Sequence, residues 1–426
     1  MRAIVNPSII NGSISAPRSK SDMQRACAAA LLHNGITHIH SPGNSNDDLA
    51  ALDVIQKLGA TIKNGDHEII IKSMGVNPIN NEINCGESGL GIRMFTPIAS
   101  LSNQKLKING TGSLLKRPMD FFDEIFPQLG ISISSSEGKL PIEIQGPLLP
   151  ASIDVDGSLS SQFLTGLLMA YSASNATNVV INVHDLKSKP YIDMTLKILK
   201  SFGMKQPLVS SYQQFSFLES ISTDSTDPIH YSIEGDWSGA AFLFVAGAIS
   251  GKIIIEGMKS DSPQADRKIL EAIHDAGALV EIIDDKYVVS PSKLFPFNFD
   301  ATECPDLFPP LVVLASYCSG VTEITGANRL THKESNRALT LQEVFGKMGV
   351  KIELDGDIML VHGGSKILSA HVHSHHDHRI AMAATVAAMG ADGPISIDDA
   401  EAIDKSYPDF YRHMISLGAS IILETN

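Results

Sequence analysis

Six times along this chain an apolar ladder of helical period ends in a glycine flanked by apolar residues, and a strand-like run follows. The glycines are Gly59, Gly130, Gly203, Gly277, Gly349 and Gly418, spaced 71, 73, 74, 72 and 69 residues apart. A glycine just past a helix relieves the left-handed cap conformation, so one such helix is commonplace. Six at a near-constant period mark a repeated structural unit. The first ladder carries Leu49, Leu52, Ile55 and Leu58, and the second Phe122, Ile125 and Leu129. The third carries Leu196, Leu199 and Phe202, and the fifth Leu341, Val344, Phe345 and Met348, all at the i, i+3, i+4 spacing of a helix face.

Each repeat also holds a second, greasier helix with a polar first turn. The openings are Ser19-Lys20-Ser21, Glu87-Ser88-Gly89, Ser160-Ser161-Gln162, Asp236-Trp237-Ser238, Pro305-Asp306 and Asp377-His378-Arg379. Apolar runs such as Ala26–Leu32, Phe163–Ala170 and Ile380–Met389 follow, then strand-like segments such as Thr37–His40, Lys252–Glu256 and Pro394–Ile397. Each unit therefore reads as βαβαββ, with one helix buried nearly all round and one half exposed. Three units make one α/β domain with buried helices inside and sheets outside. Two such domains are expected, divided near Pro228–Ile233, where the polar stretch Ser220–Asp227 ends.

Composition narrows the class of protein. The chain has 426 residues, and its 33 Lys and Arg against 47 Asp and Glu give a net charge of −14. That balance argues against a nucleic-acid or anionic-membrane binder, whose footprint is a basic face. Met1–Ile10 has no basic cluster followed by an apolar core, so no secretory signal is expected. Apolar stretches near Ala240–Ser250 and Leu307–Cys318 fall short of the roughly 20 residues of a membrane span. Cys27, Cys85, Cys304 and Cys318 form no C-x-x-C pair, and reduced, buried thiols in a cytoplasmic protein are expected.

The chemistry belongs at the polar helix starts. A helix N-terminus presents free N–H groups and a partial positive charge, which attract phosphate and carboxylate. For any one position Ser or Asp is explained by capping alone. The set asks for more, because cations accompany it. Arg25 lies one turn after Ser21, and Arg93 follows Glu87. Lys116-Arg117-Pro118 and Lys333-Glu334-Ser335-Asn336-Arg337 sit in loops leading into amphipathic helices. Six helices of this kind can aim their N-termini at a common cleft between two domains.

These residues resemble a known family. Ala16-Pro17-Arg18-Ser19-Lys20-Ser21 with Arg25 is similar to the P-G-S-K-S-x-x-x-R opening of the EPSP synthase (3-phosphoshikimate 1-carboxyvinyltransferase) family, with Arg18 where Gly is usual. Further matches are Lys116-Arg117-Pro118, Gly157-Ser158-Leu159-Ser160-Ser161-Gln162-Phe163 and Ser188-Lys189-Pro190-Tyr191-Ile192-Asp193. Glu234-Gly235-Asp236, Pro305-Asp306, Lys333-Glu334-Ser335 with Arg337, Asp377-His378-Arg379-Ile380-Ala381-Met382 and Lys405-Ser406-Tyr407-Pro408-Asp409 come later, in the family's order. The resemblance implies two domains of three βαβαββ units each, the inside-out α/β barrel of enolpyruvyl transferases. It implies that residues 1–15 join 231–426 in domain I, that 16–230 form domain II, and that the active site lies in the cleft between them.

It also implies transfer of the enolpyruvyl group of phosphoenolpyruvate to the 5-hydroxyl of shikimate 3-phosphate, with release of phosphate. Both substrates carry phosphate and carboxylate, which bidentate Arg suits well. By family match, shikimate 3-phosphate is held by Lys20, Ser21, Arg25, Ser160, Ser161, Gln162, Ser188, Tyr191, Asp306 and Lys333. Phosphoenolpyruvate is held by Lys20, Gly89, Arg117, Gln162, Arg337, Arg379 and Lys405. Addition followed by elimination needs a base near the hydroxyl and an acid near the methylene. Asp306 is the candidate base, Glu334 or Lys405 the candidate acid, and Lys20 stabilises charge at the centre. An ordinary cap for Asp306, and an ion pair with Lys333 or Arg337 for Glu334, are the plainer readings. No metal and no organic cofactor is expected, because the substrate carries its own activated enol. The resemblance implies a monomer, with domain closure keeping water out.

One segment departs from the family. Glu87-Ser88-Gly89-Leu90-Gly91-Ile92-Arg93-Met94 stands where N-A-G-T-A-x-R or N-S-G-T-x-x-R is common. A carboxylate beside an anionic substrate is costly unless it points away or pairs with a cation. His371, His373, His375, His376 and His378 crowd together, with His376 where a smaller residue is more usual. They read as a solvated strand-to-helix connection rather than a metal site, since no Cys cluster accompanies them. Two alternatives stay open: a transferase acting on a UDP-sugar, and a non-catalytic anion-binding subunit. The first calls for a reactive loop Cys and an early Lys-Asn pair, whereas Lys20 precedes Ser21. Against the second stand Lys20, Asp306, Glu334, Arg379 and Lys405 together.

Overall fold

The computed structural model describes residues 1–219, 226–331 and 333–425, so residues 220–225 of the polar stretch lie outside the described residues. The chain forms two compact units, Lys20–Ile233, and Met1–Ser19 with Glu234–Asn426.

In the unit Lys20–Ile233 the helices are α1 (Lys20–Leu32), α2 (Asn46–Lys57), α3 (Gly89–Ala99), α4 (Phe121–Ile125), α5 (Ser161–Ala173) and α6 (Lys189–Ser201). They alternate with three four-stranded sheets of one pattern. Ile153–Asp156 pairs parallel with Val179–His184 across α5. Gln214–Phe217 then pairs antiparallel with Val179–His184 and with Leu208–Ser210. That is the βαβαββ unit. The unit containing α1 and α2 borrows its opening strand from Ile229–Ser232, which lies parallel to Gly35–His40 in the register Ile229↔Thr37 to Ser232↔His40.

All of α3 is buried, as is nearly all of α5 and of α1 beyond its first turn. The amphipathic helices cover them on one face each. In α2 the buried stripe is Ala51, Val54 and Ile55 with Leu58 just beyond, whereas Leu49, counted in the ladder, is 55% exposed. The Phe122–Leu129 ladder is also not one helix. Its second half, Phe126–Leu129, is a 3-10 turn, because Pro127 has no N–H to donate to the carbonyl four residues back.

In the other unit the helices are α7 (Trp237–Ser250), α8 (Ile269–Asp275), α9 (Phe308–Ser316), α10 (Arg337–Lys347), α11 (His378–Ala388) and α12 (Phe410–Ser416). Here α7, α9 and α11 are the buried set. Two of its sheets use N-terminal strands. Gly12–Ser15 runs parallel to Ile253–Glu256, and Arg2–Val5 lies between Ile395–Asp398 and Ile421–Glu424. All six repeat glycines have positive φ, from 63° at Gly203 to 111° at Gly59. The six-fold repeat is thus a βαβαββ unit used three times in each body. Among the described residues no helix is long and apolar enough to cross a membrane.

Candidate active site

The residues singled out by sequence divide between the two units. Lys20, Ser21, Arg25, Gly89, Arg117, Ser160, Ser161, Gln162, Ser188 and Tyr191 belong to Lys20–Ile233, and Asp306, Lys333, Glu334, Arg337, Arg379 and Lys405 to the other.

In Lys20–Ile233, Lys20 is the first residue of α1, where a cation opposes the helix dipole. Asp47, in the first turn of α2, offsets this with an ion pair of 2.9 Å. One turn on, Arg25 is buried between α1, α5 and α6. Its Nε donates to Thr195 Oγ1 at 3.0 Å and Nη1 to Ser21 O at 2.8 Å. Nη2 reaches Thr165 Oγ1 at 3.5 Å and Tyr191 O at 3.3 Å, and the guanidinium lies 5.9 Å from the Tyr191 ring centre. These acceptors are all neutral. Burial accordingly pulls the guanidinium down to about 10, with Tyr191 and Asp22 opposing. An incoming anion would relieve that cost.

The starts of α3 and α5 meet through two arginines. Ser160 caps α5, accepting from Gln162 N, and Ser161 is buried in its first turn. Arg93 Nη1 donates to Gln162 Oε1 at 2.9 Å, and its guanidinium sits 4.8 Å from the Phe163 ring centre. A methyl group on Gly89 would stand 2.5 Å from Arg117 Nη1 and 3.6 Å from Gln162 Oε1. The glycine therefore lets Arg117 approach the first turn of α3. Ser88 caps that helix through Gly91 N and donates to Gln24 Oε1 at 2.8 Å, tying α3 to α1. Glu87 accepts from Ser113 N at 3.2 Å and Ser113 Oγ at 3.3 Å at the start of the 3-10 turn Gly112–Lys116. Ser188 begins α6 with a left-handed backbone, φ 57°.

In the other unit an ion cluster surrounds Asp306, in the 3-10 turn that opens α9. Its carboxylate lies 2.9 Å from Arg337 Nη1, 3.1 Å from Arg379 Nη2 and 3.2 Å from Lys333 Nζ. Burial pushes this carboxyl upward, but Arg379, Lys333 and Arg337 together hold it well below the usual carboxylate range. Arg337 is fully buried in the first turn of α10 rather than in the preceding loop. Besides Asp306 it binds Glu334 Oε2 at 2.5 Å, and Asp377 through Nε at 2.9 Å and Nη2 at 3.1 Å. Burial opposes its charge and these three carboxylates outweigh that, raising its pKa. Asp377 also caps α11 by accepting from Arg379 N at 3.0 Å. Lys405 is buried at the end of the 3-10 turn Ala400–Lys405, which packs on α11.

Sequence reasoning did not single out Asp47, Asp377 or Asp266 as site residues. Asp377 stood only as part of its motif, although its place two residues before Arg379 is an N-cap signal. The spacing Ser45-x-x-Asp48 is a legible capping box beside Asp47. Asp266 left no signal. It is fully buried, Ser238 Oγ meets its Oδ2, and its Oδ1 has no hydrogen-bond partner among the described residues. Burial first, then the charge of Asp306, raises it to about 7 against the pull of Arg379.

The histidines take local partners: His371 pairs with Asp398 at 2.8 Å, His375 with Glu343 at 3.3 Å and His376 with Asp399 at 2.7 Å. His378 is instead buried in the first turn of α11, so the run is not solvated throughout. Among the described residues no group of three or more His, Cys, Asp or Glu is arranged to hold a metal ion.

Two bodies of three βαβαββ units, each with cations gathered at the starts of its buried helices, define an anion-handling protein of the inside-out α/β class. The family model described as EPSP synthase (3-phosphoshikimate 1-carboxyvinyltransferase) matches residues 4–414. A relative named 3-phosphoshikimate 1-carboxyvinyltransferase from Clostridium kluyveri is 34% identical over 418 residues, covering 98% of this chain and 97% of its own. One of the same name from Methanocorpusculum labreanum is 34% identical and covers 99% of both chains. The solved structure of the EPSP synthase from Acinetobacter baumannii superimposes with a TM-score of 0.80 at 22% identity, over 99% of this chain and 100% of that one. The chain belongs to the EPSP synthase family.

Proposed function

We propose that the chain transfers the enolpyruvyl group of phosphoenolpyruvate to the 5-hydroxyl of shikimate 3-phosphate, releasing phosphate. The reaction would serve the shikimate pathway toward chorismate and the aromatic amino acids. Family membership along nearly the whole chain carries this reading. The cation sets of the two units support it, since both substrates are phosphorylated carboxylates.

In this proposal 1–15 with 231–426 and 16–230 act as two domains, and each contributes residues to one reaction. Arg25, together with Lys20, Ser21, Ser160, Ser161, Gln162, Ser188, Tyr191, Asp306 and Lys333, takes shikimate 3-phosphate, and Arg25 gains the anion that its neutral partners do not supply. Lys20, Arg117 with Gly89 and Gln162, and Arg379 with Arg337 and Lys405 take phosphoenolpyruvate. Arg337 already serves three carboxylates. Its share is therefore as much to hold Asp306 and Glu334 as to meet the substrate.

Asp306 takes the hydroxyl proton. In the free protein it is a weak base, because three cations hold its proton affinity down. Anionic substrates that draw on Arg379, Lys333 and Arg337 lessen that pull and raise its basicity where the hydroxyl arrives. The hydroxyl oxygen attacks C2 of phosphoenolpyruvate while Glu334 or Lys405 delivers a proton to the methylene carbon. The methyl group of this tetrahedral adduct then returns a proton to the group that delivered one, as the C–O bond to phosphate breaks and phosphate departs with the proton held on Asp306. The enol is already activated, so the proposal includes no metal or organic cofactor. It further includes a cytoplasmic setting, supported by four free, buried cysteines, no nucleic-acid or membrane partner, supported by the −14 charge, and the monomeric state that the family resemblance implies.

Turnover in D2O tests the sequence of steps. The vinyl CH2 of the product should carry solvent deuterium by mass spectrometry, because the methylene passes through a methyl stage. A product holding only protium, or hydrolysis of phosphoenolpyruvate in its place, contradicts the proposal.

A further inference from the structure

The turn leading into α11 has a costly shape; His375 N donates to His373 Nδ1 at 2.8 Å, and one carboxylate, that of Asp399, ties the residues on either side of His375. His375 and His376 both have left-handed backbones, φ 55° and 57°, a conformation unfavourable for residues with a Cβ. Asp399 Oδ2 accepts from His376 N at 2.7 Å and pairs with His376 Nδ1 at 2.7 Å. Ser374 Oγ, on a fully buried residue, lies 2.8 Å from both Asp399 Oδ2 and Asp399 O. The next residue along, Asp377, is the one that holds Arg337 and caps α11 at Arg379 N. On its other side Asp399, itself left-handed at φ 57°, opens the 3-10 turn that ends in Lys405.

We infer that Asp399 is a positioning residue for the reaction: its carboxylate clamps the Ser374–His376 turn and thereby sets Asp377 against Arg337 and Arg379. The inference rests on the proposed reading that these cations receive phosphoenolpyruvate. A merely stabilising cap would lower the melting temperature on removal and leave substrate affinity of the folded protein alone. A clamp acts on affinity, and glycine within the turn should partly replace it, because glycine adopts the left-handed shape unaided.

The full chain should be compared with Asp399→Gly, Asp399→Asn, His376→Gly and the double variant Asp399→Gly/His376→Gly. Glycine at 399 removes the carboxylate without straining the left-handed backbone there. Asp399→Gly should raise KM for phosphoenolpyruvate by about tenfold, the scale of a few lost hydrogen bonds. KM for shikimate 3-phosphate and kcat should move less. Asp399→Asn, which keeps an acceptor and tolerates the backbone, should fall between, and His376→Gly alone should stay near the parent. The double variant should recover part of the lost affinity. Amide hydrogen exchange over residues 374–380 reads the turn without turnover, and should quicken in Asp399→Gly and slow again in the double variant. Unchanged exchange, an unchanged KM for phosphoenolpyruvate, or no recovery in the double variant overturns the inference. A parent chain without shikimate 3-phosphate-dependent turnover instead defeats the functional reading, and exchange alone then decides the clamp.

Discussion

Asp266 and Asp306 are two carboxyls of one unit driven in opposite directions by their surroundings. Asp306 has three cations within 3.2 Å, whereas Asp266 has a serine hydroxyl and complete burial. The folded state therefore holds a proton on Asp266 that the unfolded chain releases near pH 4. Its stabilising contribution is full below that point and is lost as pH rises through about 7. Asp266→Asn, which mimics the neutral acid, should be more stable than the parent at pH 8, with the difference shrinking toward pH 4. Urea unfolding at several pH values checks this, and the slope should approach the one-proton limit of about 1.4 kcal/mol per pH unit. Asp306 was legible from Pro305-Asp306 at a helix start. Asp266 was not, because nothing local in Ala265-Asp266-Arg267 says that tertiary packing will bury it beneath α7. Arg337 shows the same limit. Its motif, with Glu334 three residues away, was readable, but its simultaneous hold on Asp306 and Asp377 reaches 31 residues back and 40 residues on along the chain.

At the scale of elements, the hydrophobic period located the helices well, and its errors have local causes. Pro127 splits the second ladder, and Leu49 faces outward because Ala51, Val54 and Ile55 already form the buried stripe of α2. The close approach of α3 and α5 was not visible in the period. It depends on Gly166 of α5, where a methyl group would stand 2.7 Å from Arg93 O and 2.8 Å from Met94 O. Backbone cannot yield as a side-chain tip can. Gly166→Val should cost about 1–3 kcal/mol by overpacking, and more if α3 and α5 separate. Denaturant midpoints measure the loss. A movement of α3 would also carry Arg93 away from Gln162, so affinity for phosphoenolpyruvate should fall with stability.

For the whole molecule, the repeat length gave six units, but periodicity alone does not tell which strands complete which sheets. Arg2–Val5, Gly12–Ser15 and Ile229–Ser232 each close a sheet whose other strands lie far along the chain. Deleting residues 1–5 should therefore strip Ile421–Glu424 of its neighbour and expose Ile395–Asp398. Hydrogen exchange should rise across residues 395–424 while the sheets of Lys20–Ile233 stay protected. The acidic balance also looks different beside the structure. The −14 is a sum over unlike regions, and cations at the buried-helix starts coexist with it. The most direct test of the account is the initial rate of phosphate release from phosphoenolpyruvate by the purified chain, with and without shikimate 3-phosphate. Release should require shikimate 3-phosphate and fall at least about a hundredfold in a folded Asp306→Ala variant, the scale of general base catalysis. Release without shikimate 3-phosphate, release with a UDP-sugar in its place, or an undiminished rate in Asp306→Ala contradicts it.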